Sequence, residues 1–376
     1  MSAVVNALVI GAGPGGLAAA IALRQAGVEV DVAEVTPDRS AVLSSELILG
    51  SPNLRVLDTL GVADRLVAKG VPISRVGIRA ADDTLVSEVE IHRVTREDLP
   101  PSLGIFRRTL HDTLYEKALE LGARVHFSCD LRSLEQDDRG VEAAFGSGPS
   151  GRYVLVVGAD GGRSQVRDLV FDVPGPAYVG QCVWRARMPR EGEAGHDLWH
   201  GQGAMGGYMP VSPDSSFLFC LTTYETPPRL DPKDFAQLMR RDLDQFDNGL
   251  IGKMREDLNE DTLIHFAQLK WAVAPDPWYR GGVVLIGDAA HATTPHVGYG
   301  AGLAIEDGFV LGEEIASAES LEIALAKFME RRFERCRRVV EGGAQLSRWQ
   351  QDRDDRHSIE QGELIDELWT MLNEPL

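Results

Sequence analysis

The stretch VVNALVIGAGPGGLAAAIALRQAGVEVDVAE, residues 4–34, decides how the rest of the chain is read. An apolar run stops at Gly11, Gly13 and Gly16 complete G-x-G-x-x-G, and a helical segment with Leu17, Ile21 and Leu23 follows. Gly27 closes that helix, Val28, Val30 and Val32 alternate as a strand, and Glu34 ends it. The pattern is a complete βαβ unit with an acid roughly twenty residues beyond the glycines. Each glycine has a task. Gly11 allows the tight turn, Gly13 lets the backbone approach a pyrophosphate, and Gly16 lets helix and strand pack closely. Ala12 and Gly15 belong to the same loop. The helix start offers unpaired N–H groups and partial positive charge to phosphates. Glu34 can accept hydrogen bonds from a ribose diol, which disfavours a 2′-phosphate. The loop alone leaves NAD and FAD both open.

Two later segments repeat the device. YVLVVGADGGRSQVRD (153–168) ends an apolar strand in Gly158-Ala159-Asp160-Gly161, with Arg163 and Arg167 beyond. VVLIGDAAHATTPHVGYGAGLAIEDG (283–308) ends another at Gly287-Asp288, then bends at Pro295 and loosens at Gly298, Gly300 and Gly302 before a helix starts near Ala301. Open α/β sheets bind ligands at the carboxyl ends of their strands, so one long ligand touched by all three turns is the economical reading.

With 376 residues, 44% hydrophobic, the chain exceeds one ordinary core and two domains are expected. A formal charge of −19 disfavours nucleic acid and anionic membranes as partners. The four cysteines are scattered without C-x-x-C, which argues against a metal cluster or disulfide framework and for a reducing compartment. The early apolar segment is too short for a signal peptide or membrane span, so a cytoplasmic protein is expected.

The motifs GAGPGG (11–16), GADGGRSQVR (158–167) and GDAAHATTPHVGYGAGLAIED (287–307), in that order, resemble the single-component FAD-dependent aromatic hydroxylases, such as p-hydroxybenzoate and salicylate hydroxylases. The resemblance covers most of the chain. It implies bound FAD as cofactor, with NAD(P)H and O2 as co-substrates and oxygen transfer through a flavin C4a-hydroperoxide. It implies that Asp288 meets the ribityl region, that Asp160 and Gly161 serve FAD and nicotinamide binding, that Arg107 opens a helix beside the flavin, and that the backbone of Leu131 meets the adenine. The sequence departs from the family where a glycine-rich loop borders the flavin: Ser45, Glu46 and Leu47 stand there within AVLSSELILGSPN. Tyr299 stands where glutamine is common.

The expected fold is α/β: a Rossmann-like FAD-binding domain (1–71, 101–177 and 275–340), an inserted antiparallel β-sheet substrate domain (72–100 and 178–274), and a helical C-terminus (341–376). Aromatic and apolar strand residues suit a flat ring. Trp184, Met205, Tyr208, Phe217 and Tyr224 are the substrate-binding candidates, with Arg185 and Phe219 in the wider set. By approximate alignment Met205 and Phe217 replace an arginine and a tyrosine of urate-hydroxylating relatives, which points to a less polar substrate. A base to deprotonate a phenol is sought among His296, Tyr208 and His200, with Pro295 beside the first; residue type does not choose among them, and His296 is favoured over His200 because it lies inside the flavin loop. His291 reads as an anchor of its motif. No second nucleotide loop is visible, so NAD(P)H would dock transiently, using Arg107, Arg108 or Arg163. A monomer or homodimer is expected. The alternatives are a non-oxygenating FAD-dependent reductase or oxidase of the same fold, and an FAD-binding sensor without turnover.

Overall fold

A computed structural model describes residues 4–41, 45–192, 195–352 and 357–376. Its first sheet has six strands, in the spatial order Tyr279–Arg280, Val283–Leu285, Leu155–Gly158, Asn6–Ile10, Glu29–Ala33 and Arg124–His126. Five run parallel, and the edge strand Tyr279–Arg280 is antiparallel to its neighbour. Parallel strands covered on both faces need near-continuous apolar runs. NALVI, LVVG and VVL supply them and are buried almost throughout.

The order places the three motif-bearing strands side by side. Ile10 lies opposite Gly158, and Gly158 opposite Leu285. The ladder then continues into the turns, where Ala159 N donates to Ile10 O at 2.8 Å and Ile286 N to Gly158 O at 2.9 Å. Three turns far apart in sequence thus leave one sheet edge together.

Helix Pro14–Gln25 covers this sheet and crosses helix Gly300–Ser317 closely. Small residues permit the approach. A Cβ on Gly308 would lie 2.4 Å from Ala19 N, and one on Gly312 would lie 2.4 Å from Ala22 Cβ. The spacing of four keeps the small residues on one helical face.

The second large sheet has eight strands, ordered His291–Ala292, Ile264–Val273, Ala177–Pro189, Ser215–Thr223, Ala204–Pro210, His196–Gly201, Arg75–Ala80 and Leu85–Glu90. All neighbours are antiparallel except His196–Gly201 beside Arg75–Ala80. It draws on both inserts, plus two residues of the third motif. One face carries Trp184, Trp199, Tyr208, Leu218 and Cys220, buried beneath helices Phe235–Asp242 and Gly249–Asp257. The other face looks toward the first sheet. A small sheet, Glu46–Gly50 with Ser102–Phe106 and Val71–Ile73, bridges the two halves.

The expected boundary at residue 340 requires correction. Helix Leu321–Gln351 runs unbroken through it for 31 residues. Its end is tied to the substrate sheet, with Ser347 Oγ donating to Gln181 Oε1 at 2.6 Å. Helix Ser358–Asn373 then folds back over helix Ser51–Thr59, with Arg55 donating to the carbonyls of Asn373 and Glu374. Among the described residues no helix is long and apolar enough to cross a membrane.

Candidate active site

Between the two sheets lies a cavity of about 1890 Å³. That exceeds the roughly 300–1,000 Å³ of an ordinary small-molecule site and leaves room for a dinucleotide and a further ring. Gly13 and Gly15 line it, as do Gly161, Arg107, Gly287, Asp288, Pro295, His296, Gly298, Gly300 and Ala301.

The first loop can be read glycine by glycine. Gly11 has φ +107°, and a Cβ there would lie 2.4 Å from Ala159 O. A Cβ on Gly16 would lie 2.0 Å from Gly11 O. At Gly13 nothing stands within 4 Å, because that position opens onto the cavity. Helix Pro14–Gln25 begins there with no side chain capping its N–H groups. Such an uncapped start facing an open glycine is an anion cradle. Glu34 organises the loop from behind, accepting from Ala12 N at 2.8 Å and Thr36 N at 2.9 Å.

In the second motif Asp160 turns inward. Its carboxylate accepts from Ser164 Oγ at 2.5 Å, Gln165 N at 2.7 Å and Val166 N at 3.1 Å, and so starts helix Gln165–Val170. Gln165 Nε2 reaches Leu131 O at 2.9 Å. Asp160 and Leu131 are not among the residues that line the cavity, where Gly161 represents the motif. Arg167, missed as a site residue, also lines the cavity and donates to Ala289 O of the third motif and Gly162 O of its own.

The third motif is held rigidly. Gly287 adopts φ +59° and Gly298 φ +71°. Asp288 faces the cavity; burial raises its carboxyl pKa, against the pull of His291 and Arg107. Gly302 is set back, and a Cβ there would lie 2.1 Å from Asn53 Nδ2. Helix Gly300–Ser317 starts at the cavity without a side-chain cap. His291 Nε2 meets Asp307 Oδ2 at 2.6 Å. Burial opposes a charge on His291, but Cys336 and Asp307 outweigh it and hold its pKa well above the ordinary value.

His296 is on the wall, but both ring nitrogens are engaged, Nδ1 with Thr294 Oγ1 at 3.0 Å and Nε2 with Gln350 Oε1 at 2.9 Å. Burial pushes its pKa down to about 4. The ring is neutral, with Nε2–H donating to Gln350 and Nδ1 accepting from the Thr294 hydroxyl. It orients the loop and is poorly suited to take a proton.

On the substrate sheet, the cavity face carries Val183, Arg185, Met205, Met209, Phe219 and Leu221, with His200 further along. Trp184, Tyr208 and Tyr224 do not reach it, which corrects the expectation. Trp184 Nε1 and Tyr224 Oη both donate to Asp242 Oδ2, at 2.8 and 2.7 Å. Tyr208 is fully buried under the helices, its hydroxyl accepting from Glu191 N. Side chains alternate along a strand, and sequence could not say which phase faced the helices. Phe217 shares the cavity phase but is sealed at the sheet end, edge-on to Phe106 at 5.9 Å. The sequence reading also missed Trp369 of the last helix, which lines the cavity and meets Tyr299 edge-on at 5.6 Å. A tail helix carries no local motif that could have announced this.

These features match a known family. The model for an FAD binding domain matches residues 4–342. The chain belongs to that family. FAD is its cofactor, and the open cradle at Gly13 with Asp288 beyond it fits the elongated molecule. This FAD-binding protein is 29% identical over 356 residues to the FAD-dependent urate hydroxylase of Klebsiella pneumoniae, covering 89% of this chain and 88% of the relative. It is 30% identical over 317 residues to the 2-heptyl-3-hydroxy-4(1H)-quinolone synthase of Pseudomonas aeruginosa, covering 81% and 79%. Its fold matches Klebsiella pneumoniae HpxO complexed with FAD and uric acid, with TM-score 0.87, 24% identity, and 99% and 97% of the two chains covered.

Proposed function

We propose that the protein is an FAD-dependent monooxygenase that hydroxylates a small aromatic or heteroaromatic ring: ArH + O2 + NAD(P)H + H⁺ gives ArOH + H2O + NAD(P)⁺. The observation that carries this reading is one shared cavity. Three cofactor turns form one side, and a mostly apolar sheet face forms the other. The relatives named above, one acting on urate and one making a hydroxyquinolone, support it.

FAD, reduced by NAD(P)H, would supply the electrons and the site at which O2 is activated. The chain's residues supply the setting. Gly13 and the start of helix Pro14–Gln25 receive the pyrophosphate. Asp288 and Arg107 stand at the ribityl side. The uncapped start of helix Gly300–Ser317, at the cavity, would offer positive potential to negative charge on the cofactor. Met205, Met209, Phe219 and Leu221 would exclude water from the space where the substrate ring sits. His200 lines the same cavity, and His296 fixes the loop rather than moving a proton. NAD(P)H would approach the exposed Arg163 at the rim. The four buried, unbridged cysteines are compatible with a reducing, cytoplasmic setting.

The test is a panel of phenols and N-heteroaromatics supplied with NAD(P)H under isotopically labelled O2. One labelled oxygen in the product, matched to NAD(P)H and O2 consumption, is expected. Substrate-dependent NAD(P)H oxidation with no oxygen in any product would replace the proposal with a non-oxygenating reductase.

A further inference from the structure

The departure noted at residues 45–47 has a structural consequence. Along strand Glu46–Gly50, Leu47 and Leu49 enter the core of the nucleotide-binding half, while Ile48 packs toward Met209 and Phe217 of the substrate sheet. Gly50 stands against the Trp369 ring. Glu46 shares the phase of Ile48 and Gly50, so it too faces the substrate sheet. It is 7% exposed and lines the cavity.

Its two oxygens differ. Oε1 pairs with Arg185 Nε at 2.9 Å. Oε2 is buried with no hydrogen-bond partner. Leaving a charged acceptor bare is more costly than leaving a neutral one, so such an atom, on a residue that lines the cavity, awaits a donor. Arg107 and Arg185 face Glu46 and Asp288 here, two cations against two acids. The adjoining wall is Val183, Met205, Met209, Phe219 and Leu221.

We propose that Glu46 determines specificity in the monooxygenase proposed above. Its Oε2 accepts a hydrogen bond from an O–H or N–H on an otherwise uncharged, apolar ring, and Arg185 holds the carboxylate in place. The inference rests on that functional reading, but it is tested by binding rather than turnover.

Indole and benzofuran have nearly the same shape, and only indole carries a donor. Calorimetric titration of each into FAD-loaded wild type should show indole bound roughly tenfold more tightly, about 1.4 kcal/mol. Glu46→Leu should bring the ratio near one with FAD content unchanged. Glu46→Gln, whose amide oxygen still accepts, should fall between and serves if the leucine variant does not fold. An unchanged ratio in both variants, or no preference in wild type, overturns the proposal. Loss of FAD from the Glu46 variants also overturns it, because the carboxylate would then be serving the cofactor. If the functional reading alone is wrong, the indole preference persists while no product gains oxygen.

Discussion

Two groups of acids and arginines, one buried behind the third motif and one on the cavity wall, differ in one respect. In the first, Glu306 Oε1 accepts from Tyr299 at 2.7 Å and Arg335 at 3.0 Å, and Oε2 from Arg332 at 2.7 Å and Arg335 at 3.0 Å. Asp307 Oδ1 accepts from Arg332 at 2.7 Å, and Oδ2 from Gly287 N and His291. Every carboxylate oxygen is used. In the second, Glu46 has one oxygen on Arg185 and the other bare. The saturated group fixes the cofactor loop to the two C-terminal helices; the unsaturated one is complete only with something in the cavity. His291, Asp307 and Cys336 also bring metal-binding atom types together, but Arg332 reaches both Asp307 and Cys336 and takes the cation's place.

The largest effect should come from breaking the saturated group. Arg332→Met takes a cation from two buried carboxylates at once and should cost about 3–5 kcal/mol of unfolding free energy in a denaturant titration. A cost below about 1 kcal/mol would erase the contrast between the groups. The same group has a pH signature. Burial works against the Asp307 charge, but His291 and Arg332 pull its pKa down to about 2, below the unfolded value. Its contribution is therefore complete above the unfolded pKa near 4 and disappears as pH falls from about 4 to about 2.

The glycine loop offers a sharper cut between scaffold and site. Gly16→Ala drives a Cβ to 2.0 Å from Gly11 O and should cost about 3 kcal/mol in the FAD-free protein. Gly13→Ala meets nothing within 4 Å and should leave that stability within about 0.5 kcal/mol, yet weaken FAD binding roughly tenfold or more. Parallel melts and FAD titrations of the two variants decide it. Equal loss of stability in both would remove Gly13 from the cofactor's path.

How much of this the sequence disclosed depended on the kind of constraint. Gly11, Gly13, Gly16 and Gly287 were legible because a tight turn or close approach leaves few residue choices, and the periods around them differ. Trp184 and Tyr208 were misplaced because a strand pattern gives a period but not a phase. The sheet's outer face is covered by helices Phe235–Asp242 and Gly249–Asp257, so both faces are apolar and the usual cue of a polar outer face is gone. Arg332, Arg335 and Trp369 were invisible for another reason: their partners lie in the third motif, beyond any local spacing.

His296 brings the comparison into the flavin loop. Its pKa is lowered from 6.5 to about 4 by burial, so the unfolded chain binds more protons between those values. Stability should therefore fall as pH drops from about 6.5 to about 4, by up to about 3 kcal/mol, and His296→Gln should flatten that slope. The rate profile gives an independent reading. With no proton to accept near neutrality, His296→Gln should preserve any inflection between pH 6 and 8 in kcat/KM. Loss of such an inflection would restore the histidine as base.

The smallest effects test the two faces of one strand. Met205 lines the cavity, and Tyr208, three residues on, points the opposite way into the helix-covered core. Met205→Ala should raise KM for a confirmed substrate severalfold, about 1 kcal/mol of apolar contact, with little change in melting temperature. Tyr208→Phe should leave KM alone and cost about 1 kcal/mol of stability, since Glu191 N loses the hydroxyl it donates to. The two measurements must cross. If Tyr208→Phe moved KM and Met205→Ala did not, the strand would face the other way, and Glu46 would be looking at the wrong wall.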